Sequence, residues 1–341
     1  MDFSVLLTDL PTLVIVIIGV PAVLAAYIVG GEYLVRQLPD KARPAVRPWI
    51  WVAPALVLVS GFLVAPAVGT VISSFEDNKG NFVGFTNFGN QLAGFPTGGA
   101  WIAIRDNLFW LVFYTLFVLA FGLLLAVLFD RVPYESVVKS LIFMPMAISS
   151  VALVVIWKFM YAYQPPGQPQ TGTLNFILNT VFHQDPRTWV QDETAILGLI
   201  PLNNLALIAA AVWGIVGFSM VILSAALKGI PADLLEAARV DGAGQWRTFW
   251  KVTFPLLRPI FLVLALLSTI WDFGMFTQAY IVTGNLGNRD EYNLGLYEYS
   301  QAFTQPPHYG LASAAAFVLT IILLIVTVGY VRAAIKQGSL A

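Results

Sequence analysis

An acidic side chain inside a long apolar run is the residue in this chain that most invites chemistry. Asp272 sits in ALLSTIWDFGMF, with Trp271 and Phe273 beside it and Ser268 four residues earlier. That spacing puts Ser268 and Asp272 on one helix face, and Met275 and Phe276 continue the same face. An Asp at the bilayer centre costs about 2.5–3.5 kcal/mol on insertion scales, so such a group is kept for a reason. An indole face beside a carboxylate puts a flat apolar surface and a hydrogen-bond acceptor in one place. The alternative is an Asp that pairs with a neighbouring subunit or an ordered water. Trp213, by itself, reads as packing.

A second stretch is polar where its surroundings are not. Residues 236–255 read EAARVDGAGQWRTFWKVTFP between two long apolar runs. Pro231 suits a first helical turn, because its missing N–H costs nothing there. Asp233 and Glu236 lie near that positive helix end. Leu234, Leu235 and Ala238 make a small apolar face. Gly242-Ala243-Gly244 then breaks the helix, with Gly242 placed for a left-handed C-terminal cap. Residues 245–254 form a second short helix exposing Trp246, Phe249 and Trp250, and Pro255 and Pro259 end it. The result is a helix–turn–helix elbow. Large aromatics exposed on it mark a protein contact; an amphipathic connector lying in the membrane interface is the other reading.

Other chemistries are poorly provided for. The chain has no cysteine, which removes disulfides, thiol nucleophiles and thiolate metal sites. His183 and His308 fall in separate loops, so no His-rich metal site is expected. Glu291, Glu298 and His308 share a loop and are the best set for an enzyme, but loop charges are ordinarily solvated. No G-x4-G-K-[ST] occurs, and a net charge of −1 gives no reason to expect nucleic acid.

The elements that carry these residues belong in lipid. Of 341 residues, 58% are hydrophobic and 11% charged, where a soluble domain carries about 25% charge. The uncharged runs reach the roughly 20 residues that span a hydrocarbon core. Spans are expected at 10–31, 48–75, 107–129, 140–157, from near 205 to 227, 259–283 and 309–331. The first is read as a retained helix, since no basic segment precedes it. Pro145 either kinks the fourth span or precedes its start. Most of the 18 Lys and Arg residues fall in linkers assigned to one side: Arg36, Lys41, Arg43 and Arg47; Arg131 and Lys139; 228–258; Arg332 and Lys336. By the positive-inside rule that side is cytoplasmic, which puts the N-terminus outside and the C-terminus inside.

Residues 227–259, LKGIPADLLEAARVDGAGQWRTFWKVTFPLLRP, follow E-A-A-x3-G-x9-hydrophobic-x-hydrophobic-P. The run resembles the coupling loop of permeases in binding-protein-dependent ABC importers, in the form found in sugar permeases of the maltose/trehalose/α-glucoside type. FVGFTNF at 82–88, the Trp213 region and YGLASAAA at 309–316 extend the likeness over about residues 50–335. Val252 and Phe254 stand where Ile and Leu are commoner and stay apolar.

The resemblance implies an all-α polytopic fold of about seven transmembrane helices in a bacterial inner membrane. Residues 1–48 would be an added helix and basic linker. Residues 49–341 would be a six-helix permease domain of the type I importer class, with the coupling loop at 228–258. Glu236, Ala237, Ala238, Asp241, Gly242 and Pro255 would then couple the helices to a cytoplasmic ATPase. Trp213, Phe218, Ser268, Trp271 and Asp272 match the positions that line the sugar pocket in maltose-type permeases. Asp272 and Met275 replace asparagines there, so the pocket chemistry differs.

The implied partners are a second permease in a heterodimer, two ATPase subunits that hold ATP and Mg, and an extracytoplasmic sugar-binding protein. Trp101, Tyr163 and Trp189 on outer loops could meet the last of these. No metal or cofactor is implied for this chain, and no enzymatic role. An α-linked disaccharide or oligosaccharide such as maltose or trehalose is the implied cargo. Glycerol phosphate is disfavoured by charge repulsion from Asp272. An ion-coupled secondary transporter is the alternative; a single intramembrane Asp and no visible repeat argue against it.

Overall fold

The computed structural model describes residues 12, 15–93, 95–130, 132–192, 194–196, 200–274, 276–283 and 293–336. The chain is an all-α polytopic membrane protein. Among the described residues six helices are long and apolar enough to cross a membrane, seven spans if one bent helix pair is counted as a span. Among the described residues, strand pairing is confined to a two-residue antiparallel pair, Ala195–Ile196 with Ile200–Pro201, and a single bridge between Glu76 and Phe82. Two compact units are present, Met1–Gly69 and Thr70–Ala341.

The first unit holds α1 (Ile15–Gln37) and α2 (Arg43–Ser73) as far as Gly69. The two helices form a hairpin. Glu32 accepts from Arg36 at 3.4 Å and from Arg47 at 2.9 Å. Arg43 donates to the Arg36 and Leu38 carbonyls at 2.7 and 2.9 Å, and the Tyr27 hydroxyl donates to the Ile50 carbonyl. The second span therefore begins at Arg43 and not at Pro48. Pro48 is tolerated because the N–H it lacks would have bonded the Pro44 carbonyl, in the exposed first turn.

The second unit is built on α4 (Gly99–Leu128) and α8 (Leu202–Lys228), which follows α3 (Thr86–Leu92), α5 (Glu135–Phe143), α6 (Ser150–Met160) and α7 (Thr173–Thr180). Trp110, Tyr114 and Val118 of α4 pack with Leu207, Ile208 and Ala211 of α8. Further along, a Cβ on Gly122 would lie 2.4 Å from the Ser219 Oγ. Hydrophobicity does not drive helix pairing in lipid, so small residues that admit close approach do that work. Gly217 plays the same part on the other flank of α8, where a Cβ would lie 2.3 Å from the Ile142 carbonyl oxygen.

The fourth span is broken. α5 runs on into a 3₁₀ turn, Met144–Ala147, and α6 then leaves at 101°. The break falls at Ile148 and Ser149, both extended, and the Ser149 Oγ caps α6 by accepting from the Ala152 N–H at 3.3 Å. Pro145 is not the break. It opens the 3₁₀ turn, where its missing N–H is harmless.

The last part comprises α9 (Ala232–Val240), α10 (Gln245–Phe273), α11 (Phe276–Thr283), α12 (Leu294–Phe303) and α13 (Tyr309–Lys336). Neither Pro255 nor Pro259 ends a helix: α10 is continuous through both. A π turn at Phe249–Thr253 absorbs the irregularity, with the Phe254 N–H bonded five residues back to the Phe249 carbonyl. At its far end α10 stops at Phe273, short of the expected end of that span at 283, and α11 continues the chain as a separate helix. FVGFTNF and YGLASAAA meet. Asn87 donates to the Ser74 and Glu76 carbonyls, Gln91 to that of Leu311, and Gly310 leaves room for the Glu76 carbonyl.

Candidate functional site

The elbow owes its shape to one backbone motif. Helix α9 begins after Pro231, which stands just outside it in the cap position, and ends at Asp241. The Gly242 N–H donates to the Arg239 carbonyl at 3.0 Å and the Ala243 N–H to that of Ala238 at 2.9 Å. These two bonds are the 5→2 and 6→1 pair of a Schellman cap. Gly242 takes the left-handed conformation that the motif needs, at φ +77°. The A-x3-G spacing is thus the distance from the third-last helical residue to the left-handed one. Glu236, Ala237, Asp241 and Gly242 are exposed, and Ala238 is half-buried.

Apolar surface accompanies them. Val240 is 88% and Trp246 76% exposed, and Leu234 and Trp250 are also open. Phe249, expected on the surface, instead turns inward and lines a cavity of about 530 Å³ with Leu235, Arg239, Gln245, Thr253 and Asp130. The π turn rotates it there. Pro255 lies at the start of the regular helix that follows. The elbow is therefore continuous with the helix that bears Asp272. On the other side of the elbow, Lys228 ends α8 and bonds Glu135 at 2.6 Å; Lys139 bonds both Glu135 and the Ser224 hydroxyl. That polar fastening of α8 to α5 has no sequence signal beyond three charges in two linkers.

The candidate path residues fall into two places. Asp272 is 4% exposed, and neither carboxylate oxygen has a hydrogen-bond partner among the described residues. Ser268 is buried one turn away, and Tyr114 of α4 lies within electrostatic reach. Trp271 meets Phe218 of α8 edge-on, with centroids 5.3 Å apart. Ser268, Trp271 and Asp272 thus lie within the last two turns of α10, and Trp271 brings Phe218 to that end. Trp213 lies elsewhere: it packs edge-on against Trp157 and lines an apolar groove of about 440 Å³ with Phe117, Phe121 and Val216. Position 275 lies outside the described residues. Two more buried hydroxyls, Thr115 on α4 and Ser219 on α8, also lack partners.

Asp272 is not alone among acids inside a span. Asp106, read as loop from the sequence, lies in the second turn of α4 and is buried. Arg105 and the Asn204 amide donate to it at 2.8 and 2.9 Å, and the Trp110 indole donates to the Asn204 oxygen at 2.7 Å. The pairs Asp106-Asn107 and Asn203-Asn204, flanking two apolar runs, were the signal that could have revealed this network.

Of the loop set, Glu298 lies on α12, where burial pushes its carboxyl above the ordinary range. Glu291 is outside the described residues. A bent span, an elbow running into a membrane helix and paired long helices describe a transport component. Residues 82–338 match the family of binding-protein-dependent transport system inner membrane components.

The chain belongs to that family. It is a multi-pass inner membrane component of a binding-protein-dependent transport system, and it is not an enzyme. It is 39% identical to the osmoprotective compounds uptake permease protein GgtC of Synechocystis, over 83% of this chain and 97% of that one. It is 34% identical to the alpha-glucoside transport system permease protein AglF of Rhizobium meliloti, over 86% of this chain and 84% of that one. A crystal structure of a bacterial ABC transporter involved in the import of the acidic polysaccharide alginate shares the fold. That match has a TM-score of 0.66 and 21% identity, over 87% of this chain and 99% of that one. The family match begins after α1 and α2.

Proposed function

We propose that this inner membrane component is one permease of an ATP-driven importer that carries an α-linked disaccharide or oligosaccharide into the cytoplasm by alternating access. The observation that carries the reading is the Schellman-capped elbow, whose exposed apolar tip is continuous with the helix bearing Asp272. Residues 49–341 form the permease domain, and the elbow within 228–258 docks on one of two ATPase subunits, which bind ATP and Mg. A second permease completes a heterodimer. The N-terminus lies outside and the C-terminus in the cytoplasm.

Kinship with an alpha-glucoside permease and an osmoprotectant permease supports a neutral, polyhydroxylated cargo. Asp272, Ser268, Trp271 and Phe218 supply the matching contacts. Buried without a partner, a carboxylate loses several kcal/mol of solvation unless something pairs with it. Parting α10 from α4 offers Asp272 to cargo hydroxyls. Trp213 stays outside that group and serves packing.

The test is uptake of labelled maltose, trehalose and a larger α-glucoside by cells with and without this chain, binding protein and ATPase intact. Selective loss of one sugar, reproduced by Asp272→Leu, is the expected result. Unchanged uptake of all three would remove the α-glucoside assignment.

A further inference from the structure

The end of the second unit opposite the elbow holds a cavity that the coupling cycle has not used. Helix α8, at 27 residues, is about 40 Å long, so its first turn and its elbow end lie on opposite sides of a membrane. Beside that first turn, between the end of α6, residues 161–163, residues 188–191 and Ile281 of α11, lies a cavity of about 610 Å³. Small-molecule sites run from about 300 to 1,000 Å³ and combine aromatic walls with a few polar groups. Here the walls are Phe159, Tyr161 and Tyr163, and the polar groups are Lys158, Thr188 and Gln191. The groove at Trp213, by contrast, is lined by apolar side chains alone.

The walls are held before any ligand arrives. Asn175, fully buried, donates to the Ala162 and Arg187 carbonyls at 2.9 and 3.0 Å. It accepts from the Arg187 N–H and the Trp189 indole, both at 2.9 Å. The Tyr161 hydroxyl donates to the Ala206 carbonyl at 2.8 Å, which pins its ring to α8. Fixing a loop in advance removes ordering cost from binding. Phe159, by contrast, is 72% exposed. Ile281 belongs to the helix that begins just past Asp272, so the cavity flanks the same stretch of chain as the candidate path.

We propose that this cavity is a first binding station for a neutral glycoside, a vestibule that holds the sugar before it reaches Asp272. The proposal rests on the sugar-import reading above. Phe159 and Tyr163 take a pyranose C–H face, and Lys158, Thr188 and Gln191 bond its hydroxyls. Saturation-transfer NMR tests it, with maltose and trehalose as probes. The sample is the importer assembled with its partner permease and ATPase in nanodiscs, without binding protein.

The expected result is a sugar signal that falls roughly threefold to tenfold in Phe159→Ala/Tyr163→Ala, returns in Tyr163→Trp, and survives Asp272→Leu. Both truncated side chains are exposed, so folding is not at stake. A signal indifferent to the double variant, or abolished by Asp272→Leu alone, overturns the vestibule. Absence of signal while cells still import the sugar overturns it and leaves the import reading standing. Absence of both signal and import overturns the two together.

Discussion

Gly242 shows how one backbone conformation can govern coupling. Its φ of +77° is left-handed, and no atom lies near its would-be Cβ. Replacement therefore costs conformation and not space, about 1–2 kcal/mol for an ordinary residue and more for a β-branched one. Gly242→Ala should weaken uptake, and Gly242→Val should reduce it at least roughly tenfold, with the chain still present in membranes by immunoblot. Wild-type uptake in Gly242→Val would refute the elbow's coupling role. Two carboxyls outside the spans give opposite pH signatures. The Asn81 side chain, then the Asn81 and Lys79 N–H groups, hold Asp77 below its ordinary value. Its turn is thus stabilised above that value and loosens as pH falls through the lowered one. Glu298, raised by burial, contributes stability below its ordinary value and loses it as pH rises through the raised one. Protection of the Asn81 amide from hydrogen exchange, relative to the intrinsic rate at each pH, should fall in acid, and Asp77→Asn should remove that dependence. Glu298→Gln should flatten the alkaline-side loss of stability around α12.

At the scale of elements, close approach is the fold's main currency. Gly217 abuts the Ile142 carbonyl and the Phe143 Cα, both backbone. Gly217→Leu should therefore force α5 from α8 and cost about 1–3 kcal/mol. A lower aggregation temperature of the purified importer would record it. Gly329→Ala, where nothing lies within 4 Å, should leave that temperature level or raised. The spans were legible because hydropathy reports burial in lipid directly, and the elbow because A-x3-G encodes its cap. What stayed hidden depended on partners far along the chain. Asp106 reads as loop until Asn204 and Arg105 pair with it inside a helix. The break at Ile148 and Ser149 carries no breaker residue; it is imposed by the close fit of the bent pair around Gly217 and Gly214. Pro255 promised an end that the π turn made unnecessary. Trp213 and Phe218 looked alike as aromatics in one helix, but five residues at 3.6 per turn point them to different faces.

For the whole molecule the decisive quantity is orientation, since an importer's elbow and its vestibule have to face opposite compartments. The proposed topology puts the basic linkers in the cytoplasm, and the length of α8 separates the elbow from the 161–192 region by about a membrane's thickness. The absence of cysteine makes this directly measurable, because any introduced thiol is the sole one. Asn179→Cys, on exposed α7, and Gln245→Cys, at the exposed start of α10, avoid buried packing. A membrane-impermeant maleimide applied to intact cells should label the first and spare the second; on inverted vesicles the pattern should reverse. Labelling of both from one side would dissolve the membrane-spanning assignment of α8. The opposite pattern would place the elbow outside, where no ATP is hydrolysed, and the importer would need another motor. With the expected pattern, the apolar tip at Val240 and Trp246 faces the compartment that holds ATP, and the Asn175-braced cavity faces the compartment from which the sugar comes.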